Sequence, residues 1–377
     1  MEVLPLIKNL SMVDGHAHSL LKDFLSLKSP ESFHSVFTES RQEKVISSSV
    51  PLSMSYRHMI RTLKETFNLE KGADYLEFRR ALGQEELVRK LFEEANISTI
   101  LVDDGFSKDL MMPIAELESL TNAKTHRILR IEIELAELIR ENDSIETILE
   151  QFQKLLEDDT VIGLKTIAAY RGGLNIEEVT ESAAKDDINY FNWQHKANRD
   201  AINIDGSRAH HYLLSRIFLL AAEKGLPVQI HCGMGDQDLD LHMSNPALMS
   251  HWFKHPDYSK TEFVLLHCYP YVSEAAYLAS TYSNVHMDLS LAPFLVSGLI
   301  KSIYIEALAA APYNKIMAGT DGHSMPEAYF YGAMCTRSGL SGAIQYHLDQ
   351  GTLESPEVEE VASMILADNA KRLYGLL

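Results

Sequence analysis

Four histidines and one aspartate, scattered through 377 residues, have the placement of a metal site. His16 and His18 form a His-Ala-His triplet in the run Met12–His18 (MVDGHAH). In an extended strand, residues i and i+2 share a face, so both imidazoles point into one space. Alone the triplet says little, because a chain with 16 histidines yields roughly one by chance. The other three residues give it meaning: His231, His267 and Asp321 each close a short apolar run. Imidazole nitrogen and carboxylate oxygen are good ligands for Zn2+ and also suit Mn2+ or Fe2+.

Further polar residues close other runs. Lys165 ends the apolar part of Val161–Ala168 (VIGLKTIA). A buried lysine is costly without a partner. Three roles compete: a carbamylated bridge between two metals, an ammonium that holds a substrate anion, or a partner for a nearby acid. Arg171, in the following loop, is a candidate carboxylate clamp. Asp103 and Asp104 end the second run, and Asp288 and Ser290 the seventh. His323 and Glu327 follow Asp321. Of these, Arg171, Asp104, His323 and Glu327 are expected to touch substrate. Cys232 and Cys268 each follow a site histidine, so strand alternation turns them away as small buried hydrophobes. Asp236, Asp238 and Asp240 lack the glycine and distal glutamate of a calcium loop. No Gly-rich phosphate loop or Gly-x-Ser-x-Gly elbow is present, which argues against nucleotide-dependent and serine-hydrolase chemistry.

Eight apolar, β-branched runs must carry these residues. They are Met12–His18, Ser98–Gly105, His126–Glu134, Val161–Ala168, Pro227–Gly233, Glu262–Pro270, Asn284–Leu291 and Lys315–Gly322. Near-continuous apolarity marks strands buried on both faces. Between them lie helical patterns, among them Glu132–Gln153 and Tyr212–Lys224, the latter stopped by Gly225 and Pro227. Alternating strands and helices predict an α/β fold, a (β/α)8 barrel forming one domain over 1–377. Residues 19–97 form a helical insertion after strand 1, with helix predicted over Tyr56–Thr66 and Tyr75–Asn96. A long irregular loop, Gly172–Gly206, follows strand 4. Both leave C-terminal strand ends, so both are expected over the catalytic face.

Composition sets the outer limits. Hydrophobic residues make up 46 % and charged residues 23 %, as in globular proteins. The net charge of −19 repels phosphate backbones and anionic lipid, so neither nucleic acid nor a membrane is expected as partner. The longest apolar stretches, such as Leu289–Ile300, fall short of the ~20 residues of a membrane span. Three cysteines make no disulfide scaffold, and the N-terminus lacks a signal-peptide core. A cytoplasmic enzyme for a small molecule is expected, and a homo-oligomer is compatible with the sequence.

The chain resembles the amidohydrolase superfamily in Asp14-Gly15-His16-Ala17-His18-Ser19, His231, His267 and Asp321. Three segments are similar to the amidohydrolase-type domain that some larger proteins carry ahead of a glutamine-synthetase-like domain. They are GLKTIAAYRGGL (Gly163–Leu174), IHCGMGDQDLDLHMSNP (Ile230–Pro246) and GTDGHSMPEAYFYGA (Gly319–Ala333). The resemblance covers most of the chain from Val13 to about Ala333. It implies a (β/α)8 barrel with one or two divalent ions, one being expected here, with Zn2+ favoured. By analogy His16, His18, His231 and Asp321 are ligands, and His267 polarises substrate. In two-metal relatives a carbamylated lysine on the fourth strand bridges the ions and the sixth-strand histidine, here His267, becomes a ligand; Lys165 occupies about that lysine's position. The reaction implied is hydrolysis of a C–N bond in a small polar, carboxylate-bearing substrate. Asp321 then shuttles a proton, and Lys165 or Arg171 anchors the carboxylate. The alternative on the same site is decarboxylation or sugar-acid isomerisation. A non-enzymatic scaffold would be expected to have a broken ligand set, and none of the five positions is broken.

Overall fold

A computed structural model describes residues 3–27, 29–70, 72–142, 144–197 and 204–376. Eight parallel strands pair in sequence order: β1 Met12–Ala17, β2 Ile97–Asp103, β3 Lys124–Arg130, β4 Val161–Thr166, β5 Val228–Cys232, β6 Phe263–His267, β7 Val285–Asp288 and β8 Ile316–Met317. The sheet curls into a nearly closed (β/α)8 barrel. β8 is too short to ladder with β1, and single backbone bonds complete the ring. Gly15 N–H donates to Ala318 O at 2.9 Å, Asp321 N–H to His16 O at 2.9 Å and His18 N–H to Gly322 O at 2.8 Å. A Cβ on residue 15 would lie 2.8 Å from Ala318 O, so the close approach there requires glycine.

Alternation along each strand divides the apolar residues between two cores. Val13, Leu101, Ile128, Val264, Leu266 and Met317 cluster with Ala370 and Tyr374 from the C-terminal end of the chain. Their neighbours Val102, Leu129, Leu265 and Ile316 pack into the larger core with the helices. Cys232 and Cys268 both belong to that outer core, Cys232 by alternation along β5 and Cys268 because positive φ at His267 and Cys268 breaks the alternation of β6, and burial pushes both thiols up.

The structure differs from the sequence reading where polar residues interrupt a pattern. Glu132–Gln153 is two helices, Ile131–Glu141 and Ile145–Leu155, because Ser144 Oγ accepts Thr147 N–H at 3.2 Å and starts the second. Tyr75–Asn96 breaks into Tyr75–Leu82 and Gln84–Ala95 at Gly83, whose φ is +89°. The run His126–Glu134 is strand only to Arg130, and helix follows at once. Gly172–Gly206, read as irregular, contains the helix Glu181–Ala197. Ion pairs with neighbouring elements hold it: Arg208 grips Asp187 and Lys185 reaches Glu146 at 2.5 Å, while Lys185 and Glu181 pair within the helix at 2.6 Å. Residues 198–203 of that loop lie outside the described residues. The insertion after β1 carries the helices Pro30–His34, Met54–Thr66, Tyr75–Leu82 and Gln84–Ala95. Among the described residues no helix is long and apolar enough to cross a membrane.

Candidate metal centre

The C-terminal strand ends surround a cavity of about 270 Å³, lined by His16, His18, Lys165, His231, His267 and Asp321. His16 and His18 share a face as expected, with ring centroids 5.1 Å apart. Asp321 Oδ1 lies 3.2 Å from His16 Nε2 and 3.4 Å from His18 Nε2. Ligand atoms of His16, His267 and Asp321 fall within 4.8 Å of one another. Two of these residues have left-handed backbone, with φ of 65° at His267 and 56° at Asp321. Such conformations are costly away from glycine and persist only where the surroundings enforce them. Asp288 Oδ1 accepts His267 N–H at 2.8 Å, and Asp321 N–H is fixed on His16 O.

A second layer sets the tautomers. Gln229 Nε2 donates to Gly15 O at 2.8 Å and meets the Tyr374 hydroxyl at 2.9 Å. Its Oε1 is therefore turned to His16 Nδ1, at 2.8 Å, and takes that proton. His18 Nδ1 lies 3.2 Å from Asp103 O. Ser290 Oγ donates to Asp288 at 2.8 Å and receives His267 Nδ1–H at 2.8 Å. Each of the three imidazoles keeps Nε2 as an unprotonated lone pair. Burial, and then Lys165, lowers the pKa of His16 to about 4. Burial likewise holds His267 neutral. Burial opposes ionisation of Asp321, but positive charge on His267 and His16 outweighs it and keeps a carboxylate, and with those rings neutral a bound cation would supply that charge instead. Asp321 Oδ1 is buried with no hydrogen-bond donor among the described residues. Lone pairs and an anion facing one another without a proton between them fit a bound cation.

The second layer was not read from the sequence in full. Gln229 was missed, since a glutamine inside an apolar strand reads as noise. Replacing Gln229 with Leu is expected to weaken Zn2+ affinity by about 10–100-fold, as loss of an orienting partner does. Competition with a chelator measures it, and unchanged affinity would remove Gln229 from this role. Arg130 was also missed, although a cation at a barrel strand end was a usable signal. It reaches into the cavity and grips Asp103 at 2.6 Å. Glu39 and Arg41 from the insertion, and Tyr170 from the loop after β4, also line the cavity.

Lys165 is 1 % exposed, with Nζ 3.4 Å from His16 Nε2. Burial lowers its pKa to about 8, against the pull of Asp103 and Asp321. Among the described residues no ion pair joins it to an acid, so the third role considered for it finds no partner. His231 lines the cavity with its ring 4.5 Å from that of His267. Its Nε2 lies 3.1 Å from Met234 O, so that proton is spent there. Of the two groups at ligand distance among the described residues, one contains His16, His267 and Asp321 and the other His16, His18 and Asp103, and neither contains His231.

Arg171 and His323 line the mouth, Arg171 being paired with Asp205 at 2.8 Å. Two expected substrate contacts are corrected. Asp104 turns away from the cavity to Arg127, at 2.6 Å. Glu327 is fully buried beneath the helical insertion, 2.6 Å from Arg79 Nε and 3.0 Å from the Tyr75 hydroxyl. It lies in the first turn of the helix Pro326–Asp349, which points it into protein instead of solvent.

Below Lys165, Glu132 accepts Thr166 Oγ–H at 2.5 Å and Ile167 N–H at 3.0 Å, with His210 Nε2 at 3.6 Å. Burial raises its pKa, but His210 and these donors outweigh burial and depress it. A depressed carboxylate stabilises the native state above the unfolded pKa of ~4.3, and that contribution is lost as pH falls through the folded value. Glu132→Gln is expected to be less stable than wild type at pH 7, with the gap closing below about pH 4. Urea melts at both pH values test this, and a gap independent of pH would contradict it.

Comparison with known proteins agrees with the geometry. A family model described as Amidohydrolase matches residues 197–376. Protein fluG of Emericella nidulans is 27 % identical over 409 aligned residues, covering 98 % of this chain and 46 % of that protein. The chain thus spans about half the length of this curated relative. The crystal structure of a candidate metal-dependent hydrolase from Lactobacillus casei is similar with a TM-score of 0.86 and 24 % identity, over 100 % of this chain and 98 % of that one. A uronate isomerase from Bacillus halodurans is similar with a TM-score of 0.67 and 13 % identity, over 99 % and 95 %. At these identities the two structures establish the fold.

Proposed function

We propose that the chain is a metal-dependent enzyme of the amidohydrolase superfamily, a reading that its similarity to the Amidohydrolase family model over residues 197–376 and to Protein fluG supports, and that it hydrolyses the C–N bond of a small, carboxylate-bearing amide. The observation that carries this reading is the buried Asp321 Oδ1, which lacks a donor and faces unprotonated imidazole nitrogens. His16, His18, His267 and Asp321 would hold one divalent ion, which we take to be zinc. When bound, zinc supplies Lewis acidity and a water that ionises near neutral pH. Asp321 accepts the proton of the attacking water and returns it to the leaving nitrogen. His267 has spent Nδ1–H on Ser290, which leaves it a ligand and no donor. His231 keeps a proton on Nε2, held by Met234 O at 3.1 Å, and polarises the substrate carbonyl once that contact is exchanged for the substrate, so the roles first expected of these two histidines exchange. Lys165 lacks an acidic partner and anchors the substrate carboxylate, with Arg171 at the rim.

The test is a panel of amides, γ-glutamyl compounds, lactones and aromatic acids offered to the zinc-loaded protein. Amine release that a chelator abolishes is the expected result. Carbon dioxide release without amine, or isomerisation of a sugar acid, would overturn the reading.

A further inference from the structure

One acid in the cavity takes no part in the reaction proposed above. Glu39 lines it, close enough to Tyr170 to act on its hydroxyl. Its backbone is pinned across the mouth. Glu39 O accepts Gln237 N–H at 3.3 Å, and Arg41 N–H donates to Gln237 Oε1 at 3.1 Å. Arg41 pairs with Asp236 at 2.9 Å and Asp238 at 2.7 Å. That guanidinium is committed to two aspartates. Among the described residues no hydrogen bond or ion pair reaches the Glu39 carboxylate.

Glu39 also lines a second chamber of about 290 Å³, whose walls include Phe37, Val50, Tyr56, Met59, Phe294 and Leu295. The carboxylate therefore stands where the polar cavity meets an apolar one. A carboxyl in that position is partly withdrawn from water, in a half-buried residue, with no protein donor among the described residues to compensate. Burial first, then Asp321 and Asp236, push its pKa up to about 7. A cationic ligand group would relieve both costs, and the chamber beyond would take the carbon chain that carries it.

We propose that Glu39 is a specificity-determining residue that binds an ammonium group on the amine portion of the substrate, with the adjoining hydrocarbon resting in the apolar chamber. The substrate class is then an amide with a carboxylate on its acyl side, held by Lys165, and a second, protonated amine on its leaving side. This identification of the two sides rests on the hydrolase reading, whereas the ammonium site itself does not.

Calorimetric titration of the zinc-loaded protein with n-pentylammonium chloride tests the site without turnover, and 1-pentanol serves as the neutral match. Saturable binding of the ammonium, at least tenfold tighter than the alcohol and weakened at least tenfold in Glu39→Gln, is the expected result. Zinc content is measured in both proteins, and Glu39→Ala repeats the comparison if the glutamine variant folds poorly. No saturable ammonium binding, equal binding of the alcohol, or undiminished binding by the variants would overturn the proposal. Failure of the amide panel would leave this outcome standing, so the two readings fail separately.

Discussion

Asp321→Asn is expected to lower turnover of an amide substrate by about 10²–10⁴-fold at full zinc occupancy, the range for loss of a positioned acid–base group. Asparagine tolerates the left-handed backbone that Asp321 adopts (φ 56°) better than most residues do. The Asp321 N–H bond to His16 O is also kept, so the fold persists. What changes is the chemistry: the anion disappears, and an amide N–H can now bond to an imidazole lone pair. Zinc affinity falls with it, so turnover must be read at a zinc concentration that restores occupancy by elemental analysis. Undiminished turnover under that condition would end the proton-shuttle role.

Arg79→Met is expected to destabilise the protein by about 3–5 kcal/mol, the cost of leaving one member of a buried pair without its counter-charge. Both side chains of the Arg79–Glu327 pair are wholly buried. The guanidinium also lies 5.8 and 5.2 Å from the rings of Phe24 and Phe33, contacts that a thioether can partly replace. For a chain of this size the loss corresponds to a Tm decrease of about 4–6 °C if the barrel melts as one unit. The double variant Arg79→Met, Glu327→Met is expected to regain most of it, because the unpaired charge is gone. It should also retain the wild-type KM, since Glu327 lies outside the cavity. A double variant no better than the single, or one with a raised KM, would restore Glu327 to the substrate site.

Much of the barrel was legible in the chain because burial on both faces writes itself into composition. Every run that was read as a strand overlaps one, with shifted ends. The helical patterns broke in two where a local side-chain bond or a glycine decided it, as at Ser144 and Gly83. His16, His18, Lys165, His231, His267 and Asp321 all meet in one cavity, because in a parallel barrel every strand delivers its last residues to the same mouth. Asp104 and Glu327 misled because proximity in sequence to a ligand does not fix the side a side chain takes.

The order of apolar runs and their polar ends, by itself, determined the barrel and the residue types at its mouth. The tertiary structure alone decided how each group is aimed. Strict alternation along β6, with Val264 and Leu266 inward, would turn His267 toward the helices, and positive φ brings it back. On β1 an irregularity in pairing between Asp14 and Ala17 does the same for His16 and His18. Which imidazole nitrogen is left bare was decided by Gln229, Asp103 and Ser290, and the polar wall opposite by Glu39 and Arg41. These contacts join residues from distant parts of the chain, and no local pattern records a bond whose two ends are set by different strands.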